Sequence, residues 1–402
     1  MQKFAHDAIS AIFPTIYPGQ LVLQITDACN ATCGQCGMRV TNRFPRTRMS
    51  LDYVKAIIDR AAENRVKAIS FTGGEPFLMA EELFEMIRHA HRAGIPFIRT
   101  GTNGFLLRFT GDEDNFKKRV YPLAEKLAKS GLRNFWISID SASPNRHERM
   151  RGLPGVIKGI EQALPIFESA GIYPSANLGI NRYMGRGESP LMLLSQNRDA
   201  FHHAACEAFS QFYRFVVDLG FTIVNACYPM SMEDNREAVY SATSRDTLVS
   251  FSREEKVILF QALMETIPGY RKQIRIFSPL SSLHALIKQY TRQGNCYSSY
   301  PCLGGHSFFF VDSRDGNTYP CGYRGSENMG KYQTLNMKSV INKKTFCRRC
   351  DWECFRDPSE LFGPFMEMLN HPLSLLKRFH EDPEMIKYLF SDLRYYQKCD
   401  FF

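Results

Sequence analysis

The chain has 402 residues, of which 44% are hydrophobic and 23% are charged, and it contains no low-complexity tract. This composition is typical of a globular protein with two or three domains and excludes the disordered and fibrous classes. The net charge is +9, but the Lys and Arg residues are scattered along the sequence, so we expect a solvated surface and no nucleic-acid partner.

No apolar run approaches the ~20 residues that a transmembrane helix needs. Residues 1–10 lack both the basic region and the long apolar region of a signal peptide, so we expect a cytoplasmic protein. Cysteines in a cytoplasmic protein should be thiols or metal ligands and not disulfides. Most of the twelve cysteines lie in two clusters, at 29–36 and at 296–354, which indicates metal or iron–sulfur ligation.

Short apolar runs alternate with helical patterns through the first half of the chain. We predict strands at 21–26, 68–72, 96–100 and 135–139, with weaker candidates at 173–180 and 221–228. Helical periodicity occurs between them, at 51–64, 80–93, 118–130, 155–170 and 200–219. Such repeated units predict an α/β fold with a parallel sheet, either a partial (β/α)6 TIM barrel or an open sheet. In both arrangements, active sites collect at the carboxyl ends of the strands.

The strand–helix alternation ends after about residue 230. Residues 251–292 have a helical pattern, and 360–402 are predicted to form amphipathic helices interrupted by Pro372 and Pro383. We therefore divide the chain into five segments: an N-terminal segment (1–19), an α/β core (20–230), a helical linker (231–293), a cysteine-rich domain (294–356) and a C-terminal helical tail (357–402).

Cys29, Cys33 and Cys36 form a C-x3-C-x2-C loop directly after the first predicted strand. Three thiolates on one tight loop can bind three irons of a [4Fe–4S] cluster and leave the fourth iron open for a substrate or cofactor. Zinc bound by three thiolates and a water satisfies the same spacing. The loop alone therefore leaves both metals open.

The second predicted strand ends in Gly73, Gly74, Glu75 and Pro76. The glycines would let the backbone approach a ligand closely, and Glu75 offers a carboxylate suited to an ammonium group, although the segment alone could be a tight turn. Together with the cysteine loop, it resembles the radical S-adenosylmethionine (SAM) superfamily. In that family, the amine and carboxylate of SAM chelate the open iron, and the methionyl amino group hydrogen-bonds to this segment.

Two further strand ends extend the resemblance over roughly residues 20–230. Asn103 follows the third predicted strand, and Ser138 ends the fourth, ahead of Arg151. The resemblance implies that Ser138 and Arg151 contact the ribose and carboxylate of SAM. The implied SAM-binding residues are Gly73, Gly74, Glu75, Pro76, Asn103, Ser138 and Arg151. One departure concerns the adenine environment, because the family usually has an aromatic residue where this chain has Gln35.

The second cysteine region begins with a predicted β-hairpin that turns at Asp315 and Gly316 and brings Cys302 and Cys321 to neighbouring strand ends. Cys347 and Cys350 follow as a C-x2-C pair. Two distant pairs that converge on one metal are typical of zinc ribbons and of iron–sulfur clusters alike.

Beside a radical SAM core, this region resembles the SPASM/twitch extensions. The resemblance implies one auxiliary [4Fe–4S] cluster bound by Cys302, Cys321, Cys347 and Cys350. Cys354, which we include among the predicted metal ligands, and Cys296 could substitute or add to this set. We interpret Cys206 and Cys399 as thiols without a metal.

The resemblance implies an enzyme that receives an electron from a flavodoxin- or ferredoxin-type donor and splits SAM into methionine and a 5′-deoxyadenosyl radical. That radical would remove a hydrogen atom from a small-molecule substrate in an oxidation or rearrangement. We expect a small molecule because only 28 residues precede Cys29, too few for a leader-binding domain. The alternatives are a peptide- or protein-modifying maturase and a non-catalytic iron–sulfur or zinc module.

Cys227 lies at the end of the sixth predicted strand. Strand residues alternate faces, so Asn225 and Cys227 should point the same way. If they point inward, the Cys227 thiol could return a hydrogen atom to a substrate radical in a redox-neutral epimerisation. The alternative is that Cys227 is a small buried core residue.

Overall fold

The computed structural model describes residues 19–40, 46–187, 189–191, 197–229, 238–240, 242, 244, 246–291, 300–341 and 347–399. Nearly all of the predicted N-terminal segment lies outside these ranges. Cys296, considered above as a metal ligand, also lies outside them. None of the helices in the described part of the chain combines the length and hydrophobicity that a membrane span requires.

The strands of the described residues form one nine-stranded sheet in the order β7-β6-β5-β4-β3-β2-β1-β8-β9. All neighbours are parallel except β8 and β9, which form an antiparallel hairpin. The strands are β1 (Gln20–Thr26), β2 (Ala68–Gly73), β3 (Phe97–Thr102), β4 (Asn134–Ser138), β5 (Ser175–Gly179), β6 (Ile223–Cys227), β7 (Arg275–Ile276), β8 (Phe308–Val311) and β9 (Thr318–Tyr319).

Helices connect most of these strands and form the C-terminal tail. They are α1 (Gly37–Val40), α2 (Leu51–Glu63), α3 (Ala80–Arg92), α4 (Glu113–Ala128), α5 (Pro144–Arg151), α6 (Val156–Ser169), α7 (Arg198–Asp218), α8 (Arg253–Tyr270), α9 (Leu280–Thr291), α10 (Met337–Ile341), α11 (Glu353–Asn370), α12 (Pro372–Glu381) and α13 (Pro383–Lys398). Short 3-10 turns occupy Pro76–Met79, Phe105–Leu107 and Tyr332–Thr334.

The two faces of the sheet differ in polarity. One face packs against the helices in the main hydrophobic core, to which it contributes Leu21, Leu23, Ile25, Ile69, Phe71, Ile98, Phe135, Ile137, Ala176, Leu178, Val224 and Ala226. Because strand residues alternate faces, the intervening positions point the other way. This inner face carries Val22, Gln24, Ser70, Thr72, Arg99, Trp136, Ser138, Asn177, Asn225 and Cys227. Its polar composition is suited to a ligand chamber.

The predicted α/β fold with six parallel strands and a cysteine-rich extension is confirmed. The predicted hairpin is also present, with Phe310 opposite Tyr319 and Val311 opposite Thr318. Unexpectedly, β8 pairs with β1, so the hairpin extends the core sheet. Likewise, the predicted helical stretch 251–292 contains β7, which pairs with β6. The boundaries at 230 and 293 stay predictions, although the sheet crosses both of them.

A second hydrophobic cluster joins the hairpin to the start of α11. Val22 and Phe310 from the sheet pack there with Trp352 and Phe355, whose ring centroids are 4.7 Å apart. The α11 helix begins at Glu353, earlier than the predicted tail, so Cys354 lies on a helix rather than in a cysteine-rich loop. The start of α11 is anchored to β1 by Gln20, whose Nε2 donates to the Cys354 carbonyl at 3.2 Å.

Candidate functional site

The three cysteines of the first cluster lie on the loop between β1 and α1, at the carboxyl end of the sheet. Cys29 is exposed, Cys36 is half-buried and Cys33 is buried. Burial raises the pKa of the Cys33 thiol to about 12, partly offset by Arg151. Because metal ligands must be deprotonated, a metal that binds here would displace these protons.

The Gly73–Glu75 segment holds this loop in place by backbone pairing. The amides of Gly74 and Glu75 donate to the carbonyls of Thr26 and Ala28, each at 2.9 Å. A Cβ atom on Gly73 would lie 2.2 Å from the Thr26 carbonyl oxygen, and one on Gly74 would lie 2.1 Å from that of Ala28. In this structure, the glycines permit close approach to the cysteine loop itself, whereas the sequence suggested approach to a ligand.

We expect the substitution Gly74→Ala to lower the midpoint of thermal unfolding and the iron content of the protein. The added methyl group can be accommodated only if the cysteine loop moves, at a cost of about 1–3 kcal/mol. The matched control is Gly269→Ala on α8, where no atom lies within 4 Å of the added Cβ. An unchanged midpoint and iron content for Gly74→Ala would show that the close packing of the two segments is unimportant.

The buried Glu75 carboxylate joins β2 to the end of β3. Its Oε1 accepts from the Phe77 amide at 3.1 Å and the Thr102 hydroxyl at 2.9 Å. Its Oε2 accepts from the Asn103 amide at 2.7 Å. Burial raises the pKa of Glu75 to about 7, and these hydrogen bonds oppose that rise. Asn103 in turn donates from Nδ2 to Asn30 Oδ1 at 2.9 Å, and the same nitrogen lies 3.8 Å from the Cys29 sulfur.

Arg151 lies beside the cysteine loop and is paired with Asp140. The guanidinium donates to both carboxylate oxygens, at 2.8 and 3.0 Å. Gln35 donates to the same carboxylate at 2.9 Å, so the residue that departs from the family pattern joins this ion pair. The Arg151 carbonyl accepts from the Thr32 amide at 2.8 Å. Ser138 stands at the end of β4 opposite Asn177, on the inner face.

Residues from the ends of β1, β2, β3 and β4 are therefore brought to one edge of the sheet. The backbone carbonyls and amides of this edge bind the cysteine loop from several sides. Such an arrangement can present three thiolates and a neighbouring cation to one ligand. The sequence identified these residues, but it did not reveal that Glu75 and Arg151 have partners within the protein.

The second set of thiols forms around the hairpin. The pKa of the Cys350 thiol is raised well above its ordinary value. The main cause is burial, and the next largest are the neighbouring thiols of Cys321, Cys302 and Cys347. The Cys302 amide donates to the Cys347 carbonyl at 2.9 Å. Two backbone amides also point at sulfur: that of Gly304 at Cys302 and that of Tyr323 at Cys321, both at 3.4 Å. The structure thus brings these four cysteines together.

Cys354 packs against the same hydrophobic cluster as these cysteines, but it has a different set of ionisable neighbours, and its place among the metal ligands stays a prediction. Burial and Glu353 raise the pKa of its thiol, and its other charged neighbours are Arg99 and Asp357. The thiol donates to Glu353 Oε1 at 3.3 Å. Cys354 lies in the first turn of α11, whereas the C-x2-C pair precedes the helix.

Cys227 lies on the inner face beside Glu353 and Cys354. Its sulfur donates to Asn177 Oδ1 at 3.2 Å, and it also shares a hydrogen bond with Glu353. Burial raises the pKa of Glu353 to about 7. The sequence pattern did not predict this carboxyl group as a neighbour of Cys227, because the two residues are 126 positions apart.

Sequence reasoning also missed Tyr240. Its ring stacks on Trp352 with centroids 5.8 Å apart, and its hydroxyl hydrogen-bonds with Thr72 on the inner face. Its ionisable neighbours include the thiols of Cys36, Cys354 and Cys227. Tyr240 therefore lies between the cysteine loop and the start of α11.

In a comparison with known proteins, a family model described as the Radical SAM superfamily matches residues 23–193. The chain is 23% identical to an AdoMet-dependent heme synthase of Methanosarcina barkeri over 86% of this chain and 87% of the relative. It is 25% identical to a protein of the same name from Oleidesulfovibrio alaskensis, over 85% of this chain and 77% of the relative.

Two solved structures have a similar fold. Streptococcus suis SuiB bound to S-adenosylmethionine gives a TM-score of 0.55 at 15% identity, covering 85% of this chain and 70% of SuiB. Native anSMEcpe with bound AdoMet gives 0.51 at 14% identity, covering 92% of this chain and 99% of that protein. At these identities, the similarity extends to the fold alone.

Proposed function

Since this chain belongs to the radical SAM superfamily and is a radical SAM enzyme, we propose that Cys29, Cys33 and Cys36 bind its SAM-cleaving [4Fe–4S] cluster. The observation that carries this proposal is the pairing of the cysteine loop with Gly74 and Glu75 at the carboxyl edge of the sheet. When bound, the cluster supplies the chemistry that reductively cleaves SAM into methionine and a 5′-deoxyadenosyl radical.

The chain's own groups would bind and orient SAM at the same edge. We assign Gly73, Gly74, Glu75, Pro76, Asn103, Ser138 and Arg151 to this site. Glu75 acts by fixing the backbone at Asn103, and the Arg151–Asp140 pair supplies a cation next to the cysteine loop. Asp140 holds that cation in one orientation, which lowers the entropy lost when an anionic ligand binds.

The experiment that tests this function is anaerobic reconstitution with iron and sulfide, followed by SAM and dithionite. Release of 5′-deoxyadenosine is the expected result. Zinc in place of iron, with no release, would favour the alternative of a non-catalytic metal-binding module. A flavodoxin- or ferredoxin-type protein is the proposed physiological electron donor.

For the second thiol set, we propose one auxiliary [4Fe–4S] cluster bound by Cys302, Cys321, Cys347 and Cys350. Tetrahedral zinc with Zn–S bonds of 2.3 Å would hold its sulfurs about 3.8 Å apart. Among the described residues, one trio of ligand atoms lies within 4.8 Å of one another, and it is His202, Cys206 and Glu265 rather than any of these cysteines. Four thiols from two separate pairs suit a cubane, which binds each thiolate at a separate iron.

Amide groups also favour a cluster at this position. Hydrogen bonds from backbone amides to the cysteine sulfurs help set the potential of iron–sulfur clusters, and Gly304 and Tyr323 supply two of them here. An auxiliary cluster could accept an electron from a substrate radical, so the net reaction would be an oxidation.

We propose that the substrate is a small molecule. Curated relatives that match over more than four fifths of this chain bear the name AdoMet-dependent heme synthase, which denotes a small-molecule product. A peptide or protein substrate remains the second proposal. The polar inner face of the sheet, covered by the start of α11, is the proposed substrate chamber.

The Cys227→Ala variant tests whether the Cys227 thiol returns a hydrogen atom to the substrate radical. If the thiol has this role, the variant will still release 5′-deoxyadenosine with any substrate that the native enzyme turns over, but it will form at least tenfold less product per molecule released. The physical reason is that the thiol lies on the inner face, where the radical would form. The matched control is Cys206→Ala on α7. Unchanged product from Cys227→Ala would leave Cys227 as a core residue and favour oxidation through the auxiliary cluster.

A further inference from the structure

Within the part of the chain that the structure describes, Arg99 is a cation on the inner face of the sheet without an anion to pair with. It lies on β3, in register with Ser70 on β2 and Asn134 on β4. The guanidinium Nε and Nη2 atoms are sealed from solvent and have no hydrogen-bond partner in the structure. Burial lowers the pKa of Arg99, which reflects the loss of water around its charge.

The charged neighbours of Arg99 do not neutralise it. Among the described residues, the ionisable group that interacts with Arg99 is the Cys354 thiol. No hydrogen bond joins that thiol to Arg99 Nε or Nη2 in the structure. The Glu353 carboxylate hydrogen-bonds to Cys354 and Cys227 instead. The auxiliary thiols do not contribute to the pKa of Arg99 either.

Arg99 as a whole is half-buried, but two of its guanidinium nitrogens are enclosed by protein. An enclosed charge without a partner is costly, so proteins rarely retain one without a use. The other buried arginines illustrate the rule, since Arg182 is paired with Glu255 at 2.9 Å and Arg151 with Asp140. Arg99 lies on the same face of the sheet as Asn177 and Asn225, where Asn225 Nδ2 donates to Asn177 Oδ1 at 3.1 Å. The Glu353 carboxyl group beside Cys227 has its own hydrogen bonds and is not a partner of Arg99. An anion from outside the protein would complete this site.

We propose that the Arg99 guanidinium binds a carboxylate or phosphate group of the small-molecule substrate through its Nε and Nη2 atoms. Two parallel N–H donors match the two oxygens of such a group, and the interaction is strong where water is excluded. The neutral amides of Asn177 and Asn225 would contact the uncharged part of the same molecule. This inference rests on the proposed function, because it assigns the substrate of that chamber to the class of small oxyanions.

The first test is the thermal stability of the ligand-free holoenzyme. We expect Arg99→Met to raise the midpoint of unfolding by a few degrees, because it removes an unpaired buried charge while retaining the apolar stem. The matched control, Arg182→Met, should lower the midpoint, since it leaves the Glu255 carboxylate buried without its partner. If Arg99→Met also lowers the midpoint, Arg99 has a structural role and the proposal is wrong.

The second test measures anion binding by tryptophan fluorescence. The chain has two tryptophans. Trp136 packs against the Gly101 backbone on β3, and Trp352 directly precedes Glu353. The holoenzyme is titrated with succinate, with inorganic phosphate and with uncharged succinamide, at an ionic strength fixed with chloride. We expect a saturable signal from one anion or both, none from succinamide, and at least a tenfold weaker affinity in Arg99→Met.

The two anions distinguish a carboxylate substrate from a phosphate substrate. Arg99→Lys, which keeps the charge but loses the planar pair of donors, should bind with intermediate affinity. Absence of a saturable signal with either anion, or equal affinity in Arg99→Met, would overturn the inference. Release of 5′-deoxyadenosine by the native protein is scored separately, so a failure of the proposed function would be seen independently of the anion titration.

Discussion

Replacing Cys29, Cys33 and Cys36 together with Ala is expected to remove about four irons per chain and to abolish the release of 5′-deoxyadenosine. The three thiols are the protein ligands that the proposed SAM-cleaving cluster requires, and none of the three helps to hold the hydrophobic core of the sheet. The folded protein should therefore persist. Iron analysis, circular dichroism and chromatographic detection of 5′-deoxyadenosine measure the three quantities.

The control for this triple variant is Cys206→Ala, which alters a thiol on α7 away from both cysteine sets. It should retain full iron content and full SAM cleavage. A folded triple variant that still contains all of its iron and still cleaves SAM would contradict the assignment of the cluster to this loop.

The double variant with Cys302→Ala and Cys350→Ala is expected to lower the iron content from about eight to about four per chain. Removing two of four ligands should release the auxiliary cluster, while the EPR signal of the reduced SAM-cleaving cluster remains. We expect a lower unfolding midpoint as well, because both cysteines are buried in the hydrophobic cluster around Trp352.

Cys354→Ala is the matched control for that variant. Its thiol donates a hydrogen bond to Glu353, and we expect it to be replaceable without loss of iron. A loss of four irons per chain in Cys354→Ala would show that Cys354 is a ligand of the auxiliary cluster. Zinc at these positions in the native protein, or an iron content that the double variant does not change, would refute the auxiliary cluster.

The sequence predicted the core sheet well because its strands are apolar on the face that packs against the helices. Residues such as Ile98, Phe135 and Ile137 gave a clear pattern, and all of them are buried. The two-residue strand β7 had no such pattern, since Arg275 and Ile276 are too few to show a period. The pairing of β8 with β1 is equally invisible in the sequence, because it depends on how the extension docks on the core.

The candidate site was predicted from spacing, and spacing has a clear limit. It grouped Cys354 with Cys350 because only three residues separate them, but it did not show that a helix begins between the two. It also identified Glu75 and Arg151, but not their partners, which are Asn103 after β3 for Glu75 and Asp140 after β4 for Arg151. The sequence predicted only that Arg99 lies in a strand. It could not indicate a binding role for Arg99, because a sequence does not show whether a charged side chain has an ion-pair partner.

The pairing of β8 with β1 constrains the order in which the molecule can be assembled. Gln20 lies opposite Phe308, so the strand that leads into Cys29 has an open edge until the last quarter of the chain has been synthesised. Contacts between such distant residues form slowly. We therefore expect stable loading of iron onto the first cysteine loop to follow the folding of the extension, so that both proposed metal sites would mature at the end of biosynthesis.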